Sequence, residues 1–121
     1  MGIGTIKAVH IYIHEQLYLT AELELNVKGV NYSFGGKAVL LSGREGGEPS
    51  GTPLLGRFLF RCMQICEVDS WDLLKSRKVL VEISNEIAVA IGNPVTGRWF
   101  RPAGEFQQML AQKNTTSPDF N

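Results

Sequence analysis

Cysteine is scarce in this 121-residue chain: Cys62 and Cys66 stand four positions apart and no other thiol occurs. That gap differs from the two-residue spacing of thioredoxin-like and zinc sites, and nothing is left to complete a structural metal centre. An excess of either charge is missing too, with twelve Lys plus Arg against twelve Asp plus Glu. The balance removes two electrostatic roles, a basic glove for nucleic acid and an acidic imitation of it. The longest apolar stretches, such as Ala38 to Leu41 and Ile87 to Ile91, fall far short of the ~20 residues a membrane-spanning helix needs. No basic segment followed by an apolar one opens the chain, and Ile6 stands where a myristoylation signal after Met1-Gly2 wants Ser or Thr. The expectation is a soluble protein of the cytoplasm, with no membrane partner and nucleic acid an unlikely one.

Catalytic signatures are absent as well. There is no Gly-x-Ser-x-Gly, the mark of a nucleophile elbow. Phe34-Gly35-Gly36-Lys37 invites comparison with a phosphate loop, but Asn31 replaces its first glycine and Ala38 replaces the Ser or Thr after the lysine. His10 and His14 lie on one strand face but about 13 Å apart at ~3.3 Å per residue, too far to share one ion. No cofactor or metal is expected. Cys62 and Cys66 read as buried thiols packed as small hydrophobes, and Glu22 with Glu24 as solvated acids on an exposed strand face.

What the chain does have is a pattern. Hydrophobic residues make up 44% of it, and about 120 residues can bury roughly two thirds of the unfolded surface, enough for one domain over residues 1–112. Leu17, Leu19, Ala21, Leu23, Leu25 and Val27 alternate with polar residues, and Val9, Ile11 and Ile13 do the same just before them. These are two strands joined by a hairpin. A third strand, Asn31 to Leu41, follows a turn at Lys28-Gly29 and is interrupted by Gly35-Gly36. Ser42 to Thr52 holds only turn formers and polar residues and reads as a mobile loop. Thr52 caps a helix that starts at Pro53 and runs to about Val68. Trp71 to Leu74 is a single docked turn. Strands Lys78 to Ser84 and Ile87 to Gly92 are joined through Asn85-Glu86, the second being apolar throughout as if covered on both faces. A short helix over Glu105 to Gln112 and a disordered tail, 113–121, complete the chain. The class is α+β, a mostly antiparallel sheet of about five strands in the order β-β-β-α-β-β packed on one main helix.

One constellation points to a ligand or partner. If the kink at Phe34-Gly35-Gly36-Lys37 faces Arg98-Trp99-Phe100-Arg101, then backbone N–H groups, two guanidinium groups and a flat ring converge on one cleft. Such a cleft suits an anion carrying a base to stack, such as a nucleotide. Phe34, Gly35, Gly36, Lys37, Arg98, Trp99 and Arg101 are therefore the candidate binding residues. The simpler reading has Trp99 and Phe100 closing the core with both arginines solvated. Lys75, Arg77 and Lys78 form a second basic cluster that reads as a solvated turn.

Several segments in order resemble a family of small uncharacterised proteins encoded by tailed bacteriophages and prophages. They are Leu19-Thr20-Ala21-x-Leu23-x-Leu25, Phe34-Gly35-Gly36-x-Ala38-x-Leu40, Gly56-x-Phe58-Leu59-x-Arg61, Val68-x-x-Trp71-Asp72-x-Leu74 and Ala90-Ile91-Gly92 with Trp99-Phe100-x-Pro102. The resemblance spans residues 17 to 102 and implies a phage accessory product acting in the host bacterial cytoplasm, without an established activity. It favours a non-enzymatic anti-defence inhibitor that binds a host defence protein or sequesters a nucleotide signal. The alternatives are a small nucleotide-acting enzyme using His10 or His14 with Arg98 or Arg101, and a structural protein that self-assembles through a sheet edge as a homo-oligomer.

Overall fold

Alternation decides the first hairpin. In the computed structural model, which describes residues 2–14, 18–36, 44–45, 48–49 and 51–108, β1 (Gly2–His14) and β2 (Tyr18–Val27) pair antiparallel from Thr5↔Asn26 to His14↔Tyr18. Ala21, Leu23, Leu25 and Val27 of β2 are buried, while Glu22, Glu24 and Asn26 on its other face are partly exposed. β1 reaches back to Gly2, well before the Val9 at which alternation becomes visible in the sequence. A bulge between Ile6 and Ala8 explains why. One extra residue shifts the side-chain parity, so Ile6 and Val9, three positions apart, both face the core. The turn at Lys28-Gly29, with φ of 53° and 85°, has the left-handed pair that a tight hairpin requires. It leads into β3 (Val30–Gly35).

Gly35 ends β3 earlier than expected. Its φ is +100°, and a Cβ there would stand 2.5 Å from Phe58 Cζ and 2.7 Å from the Ala21 carbonyl oxygen. Only glycine combines that backbone with that approach. The expected continuation from Ala38 to Leu41 lies outside the described residues. Within the stretch expected to be a loop, Arg44–Glu45 (β4) and Glu48–Pro49 (β5) pair as a short antiparallel ladder.

The main helix, α1, spans Gly51–Cys66, so Thr52 lies inside it rather than preceding it. Leu54, Leu55, Phe58, Cys62, Ile65 and Cys66 recur at helical spacing and are buried. The helix stops at Cys66, short of the expected Val68, because Glu67 turns left-handed with φ 57°. The Val68 amide then donates to the Met63 carbonyl at 3.0 Å and the Glu67 amide to Gln64 at 3.2 Å, the paired bonds of a Schellman ending. The 3-10 turn Trp71–Leu74 buries Leu74 and sets the Trp71 ring 6.5 Å from that of Phe58.

β6 (Lys78–Ser84) and β7 (Ile87–Gly92) form the second hairpin, with Asn85 and Glu86 at φ 51° and 65°. β7 is not covered on both faces: Ile87 and Val89 are exposed, and a register shift between Glu82 and Ile83 displaces Val89 from the ladder. β8 (Trp99–Phe100) pairs with the end of β7. A second helix, α2, over 102–108, brings Phe106 into the core and is tied to α1 where Glu105 accepts from Arg57 and Arg61.

Among the described residues the result is an α+β fold, a six-stranded antiparallel sheet in the order β3-β2-β1-β6-β7-β8 with two helices. The sheet curls until β3 approaches β7. Phe34 meets Phe100 edge-on at 5.9 Å between ring centres, and Phe58 of α1 lies 5.4 and 5.8 Å from them. Burying such rings stabilises the fold by about 2–3 kcal/mol each. Both cysteines are buried and free. Burial pushes the Cys62 thiol up and that of Cys66 from 9.0 to about 11, because a thiolate loses its hydration there. No helix among the described residues is long and apolar enough to cross a membrane.

Candidate functional site

Past the bulge at Lys7, β1 and β2 extend beyond the part of the core filled by α1. Ile11 sits opposite Ala21 and Ile13 opposite Leu19, all on the face that carries Leu23 and Leu25 further down. Yet Ile11 is 49% exposed, Ile13 65% and Leu19 51%. These side chains follow each other at i, i+2 and cross-strand positions, so they form one stripe.

The same stretch of β1 has a side that no described strand pairs. β6 pairs with Gly2 through Thr5, and Ile6 exchanges backbone bonds with Ser76 and Arg77 at 2.7 and 2.9 Å. From Lys7 to His14 no described strand pairs on that side, while β2 holds the other. Such an edge presents a row of N–H and C=O groups that another extended segment can complete.

The opposite face of the hairpin is polar and satisfied. His10 Nε2 donates to Glu24 Oε2 at 2.6 Å. The Tyr12 hydroxyl donates to Glu22 Oε1 at 3.0 Å, and the Ser33 hydroxyl donates to the second oxygen of the same carboxylate. Burial first, then the Glu22 contact, pushes the Tyr12 phenol up. Two carboxylates so placed repel a phosphate backbone, while their hydrogen bonds pin the strands together. No group of three or more His, Cys, Asp or Glu side chains among the described residues is placed to hold a metal ion.

The residues singled out in the sequence have separate contacts. Phe34 is in the aromatic core, Gly35 packs under Phe58, and Gly36 lies against Tyr12 and Glu22 with its carbonyl accepting from Thr20 Oγ1 at 2.8 Å. Lys37 and the side chain of His14 lie outside the described residues. Trp99 lies on Gly92, where a Cβ would stand 2.8 to 3.1 Å from three ring atoms. The Arg101 guanidinium covers the ring from 4.9 Å and donates to Glu82 at 2.7 Å. The indole thus already has protein contacts, with Gly92 and with the Arg101 guanidinium. Arg98 is exposed. Thus Gly36 faces the β1–β2 surface and Trp99 faces β7, and the two segments meet through the buried rings of Phe34 and Phe100. His10 and Arg101 likewise belong to different networks, each with its own carboxylate.

Sequence reasoning did not single out Ile11, Ile13 and Leu19, because their alternation is the same as that of core residues. The chain matches no family model, no curated protein and no solved structure.

Proposed function

We propose that this protein is a non-enzymatic phage or prophage accessory protein that inhibits host defence by binding a host protein along the free edge of β1. The observation that supports this reading is the coincidence of a backbone edge from Lys7 to His14, which no described strand pairs, with the exposed stripe of Ile11, Ile13 and Leu19. An extended partner segment added there gains main-chain hydrogen bonds from the edge and apolar contacts from the stripe. The contacts that Trp99 already makes with Gly92, and Arg101 with Glu82, favour this protein-binding reading over sequestration of a nucleotide. Hydrophobic partner residues are also what an exposed apolar stripe on a sheet edge most directly suits.

Expression in bacteria carrying individual defence systems tests the proposal. The wild-type chain is expected to restore phage plating on at least one strain, and Ile11→Lys with Ile13→Lys to abolish that effect at equal protein level. No restoration on any strain, or full restoration by the double variant, overturns it. A second reading has the same edge pairing with another copy, since an antiparallel register centred on Ile11 sets Val9 opposite the partner's Ile13. Light scattering that finds a strict monomer removes this second reading and leaves the first intact.

A further inference from the structure

A cavity beside the end of α1 has walls from three segments. Its volume is about 410 Å³, within the range of small-molecule sites. Glu67, after α1, forms one rim, Ser76, Arg77 and Lys78 at the entrance to β6 form the second wall, and Asn93, Pro94 and Val95 after β7 form the third.

The walls are held in place before any ligand arrives. Asn93 is buried, donates through Nδ2 to the Ile65 carbonyl at 2.7 Å, and accepts from the Val95 and Thr96 amides at 2.7 and 2.9 Å. On the facing wall, Ser76 takes a left-handed φ of 75° and its amide donates to Ile6 at 2.7 Å. The Arg77 carbonyl accepts from the Ile6 amide, so the backbone bearing both cations is bonded to β1. Preorganised walls lower the ordering cost of binding.

The electrostatics select an anion. Among the described residues Arg57 and Arg61 are paired with Glu105, and Arg101 with Glu82, whereas Arg77 and Lys78 have no carboxylate within 4.0 Å. The end of a helix ordinarily repels an anion. Here the carbonyls of Met63, Gln64 and Ile65 already accept hydrogen bonds from Val68, Glu67 and Asn93, which quenches much of that field. Pro94 and Val95, the latter 91% exposed, supply an apolar lip.

The geometry points to a binding site for a small organic anion, a phosphate monoester or a carboxylate with a compact apolar body, whose charge lies at the wall that Arg77 and Lys78 contribute and whose body rests on Pro94 and Val95. The site shares no lining residue with the β1 edge from Lys7 to His14.

Amide NMR titrations at low ionic strength test it, with phenyl phosphate in one arm and butyrate in the other. Saturable shifts at Ser76, Arg77, Lys78 and Val95 are expected with at least one probe, and the stronger arm identifies the anion class. Arg77→Gln with Lys78→Gln, both on exposed side chains, is expected to weaken binding about tenfold or more. Glu67→Gln, which removes the one acid at the rim, is expected to tighten it about threefold. Lys28→Gln, on the β2–β3 turn outside the cavity lining, controls for net charge and is expected to weaken binding less than the Arg77/Lys78 pair does. Shifts that fail to saturate with both probes, or equal weakening by Lys28→Gln and the Arg77/Lys78 pair, overturn the proposal.

Discussion

The two ends of the β1–β2 hairpin carry the same apolar alternation and meet opposite fates. At one end Ile6, Leu23 and Leu25 are fully buried beneath α1; at the other, on the same face, Ile11, Ile13 and Leu19 are about half exposed. Local sequence cannot account for this, because β propensity and periodicity are alike at both ends. What differs is the covering. Phe58 and its neighbours on α1 fill the space over Leu23 and Ala21, while the bulge at Lys7 carries β1 past the edge of β6. A strand therefore contributes to the core only where another element crosses it, and beyond that point the same residues become a surface.

The sharpest way to break the covered end is Gly35→Ala. The added methyl meets the Phe58 ring and the Ala21 carbonyl at a backbone angle that disfavours any side chain. Overpacking and strain together are expected to cost on the order of 4 kcal/mol, read as a lowered midpoint in urea denaturation. A retained midpoint would mean that α1 does not press on β3 as these distances require.

The comparison itself is tested by one substitution at each end. Leu23→Ala leaves a cavity under α1 and is expected to cost about 2–5 kcal/mol. Ile13→Ser, on the same face but 65% exposed, is expected to change stability by no more than about 0.5 kcal/mol. Similar losses in denaturation would show that the far end is covered after all.

Much of this architecture was legible in the sequence, and for identifiable reasons. The β1–β2 hairpin announced itself through period-two patterning, the β2–β3 and β6–β7 connections through the Lys28-Gly29 and Asn85-Glu86 turns, and α1 through Leu55, Phe58, Cys62 and Cys66 at helical spacing. The early start of β1 was hidden because the bulge breaks the alternation between Ile6 and Val9. The exposed faces of Ile87 and Val89 were hidden because an apolar run does not say whether a second layer exists. The candidate site was least legible. Gly35, Trp99 and Arg101 carry the chemistry that ligand sites use, but packing under Phe58, stacking on Gly92 and pairing with Glu82 use the same chemistry. Which use prevails depends on partners distant in sequence.

The covered end also differs chemically, which alkaline titration brings out. Because the folded state raises the Cys66 thiol from 9.0 to about 11, it favours the protonated form. That contribution to stability is complete below pH 9.0 and lost as pH climbs toward about 11, where the unfolded chain gains by releasing its proton. Denaturation midpoints should therefore fall less steeply across this window in Cys66→Ala than in wild type. Parallel curves would show that the thiol is hydrated and the α1 terminus more open than described.

The smallest expected effect lies where that terminus ends. Glu67 occupies the left-handed position of the Schellman ending, where glycine pays no Cβ penalty. Glu67→Gly relieves the strain but adds freedom to the unfolded chain, and the two partly cancel. A net gain of about 0.5 kcal/mol is expected, measurable as a raised denaturation midpoint with an unchanged slope. The substitution also removes a negative charge from the cavity rim, so it should raise stability and anion affinity together. Greater stability without tighter binding would separate the helix ending from the cavity, and leave Arg77 and Lys78 to hold the anion without opposition from that rim.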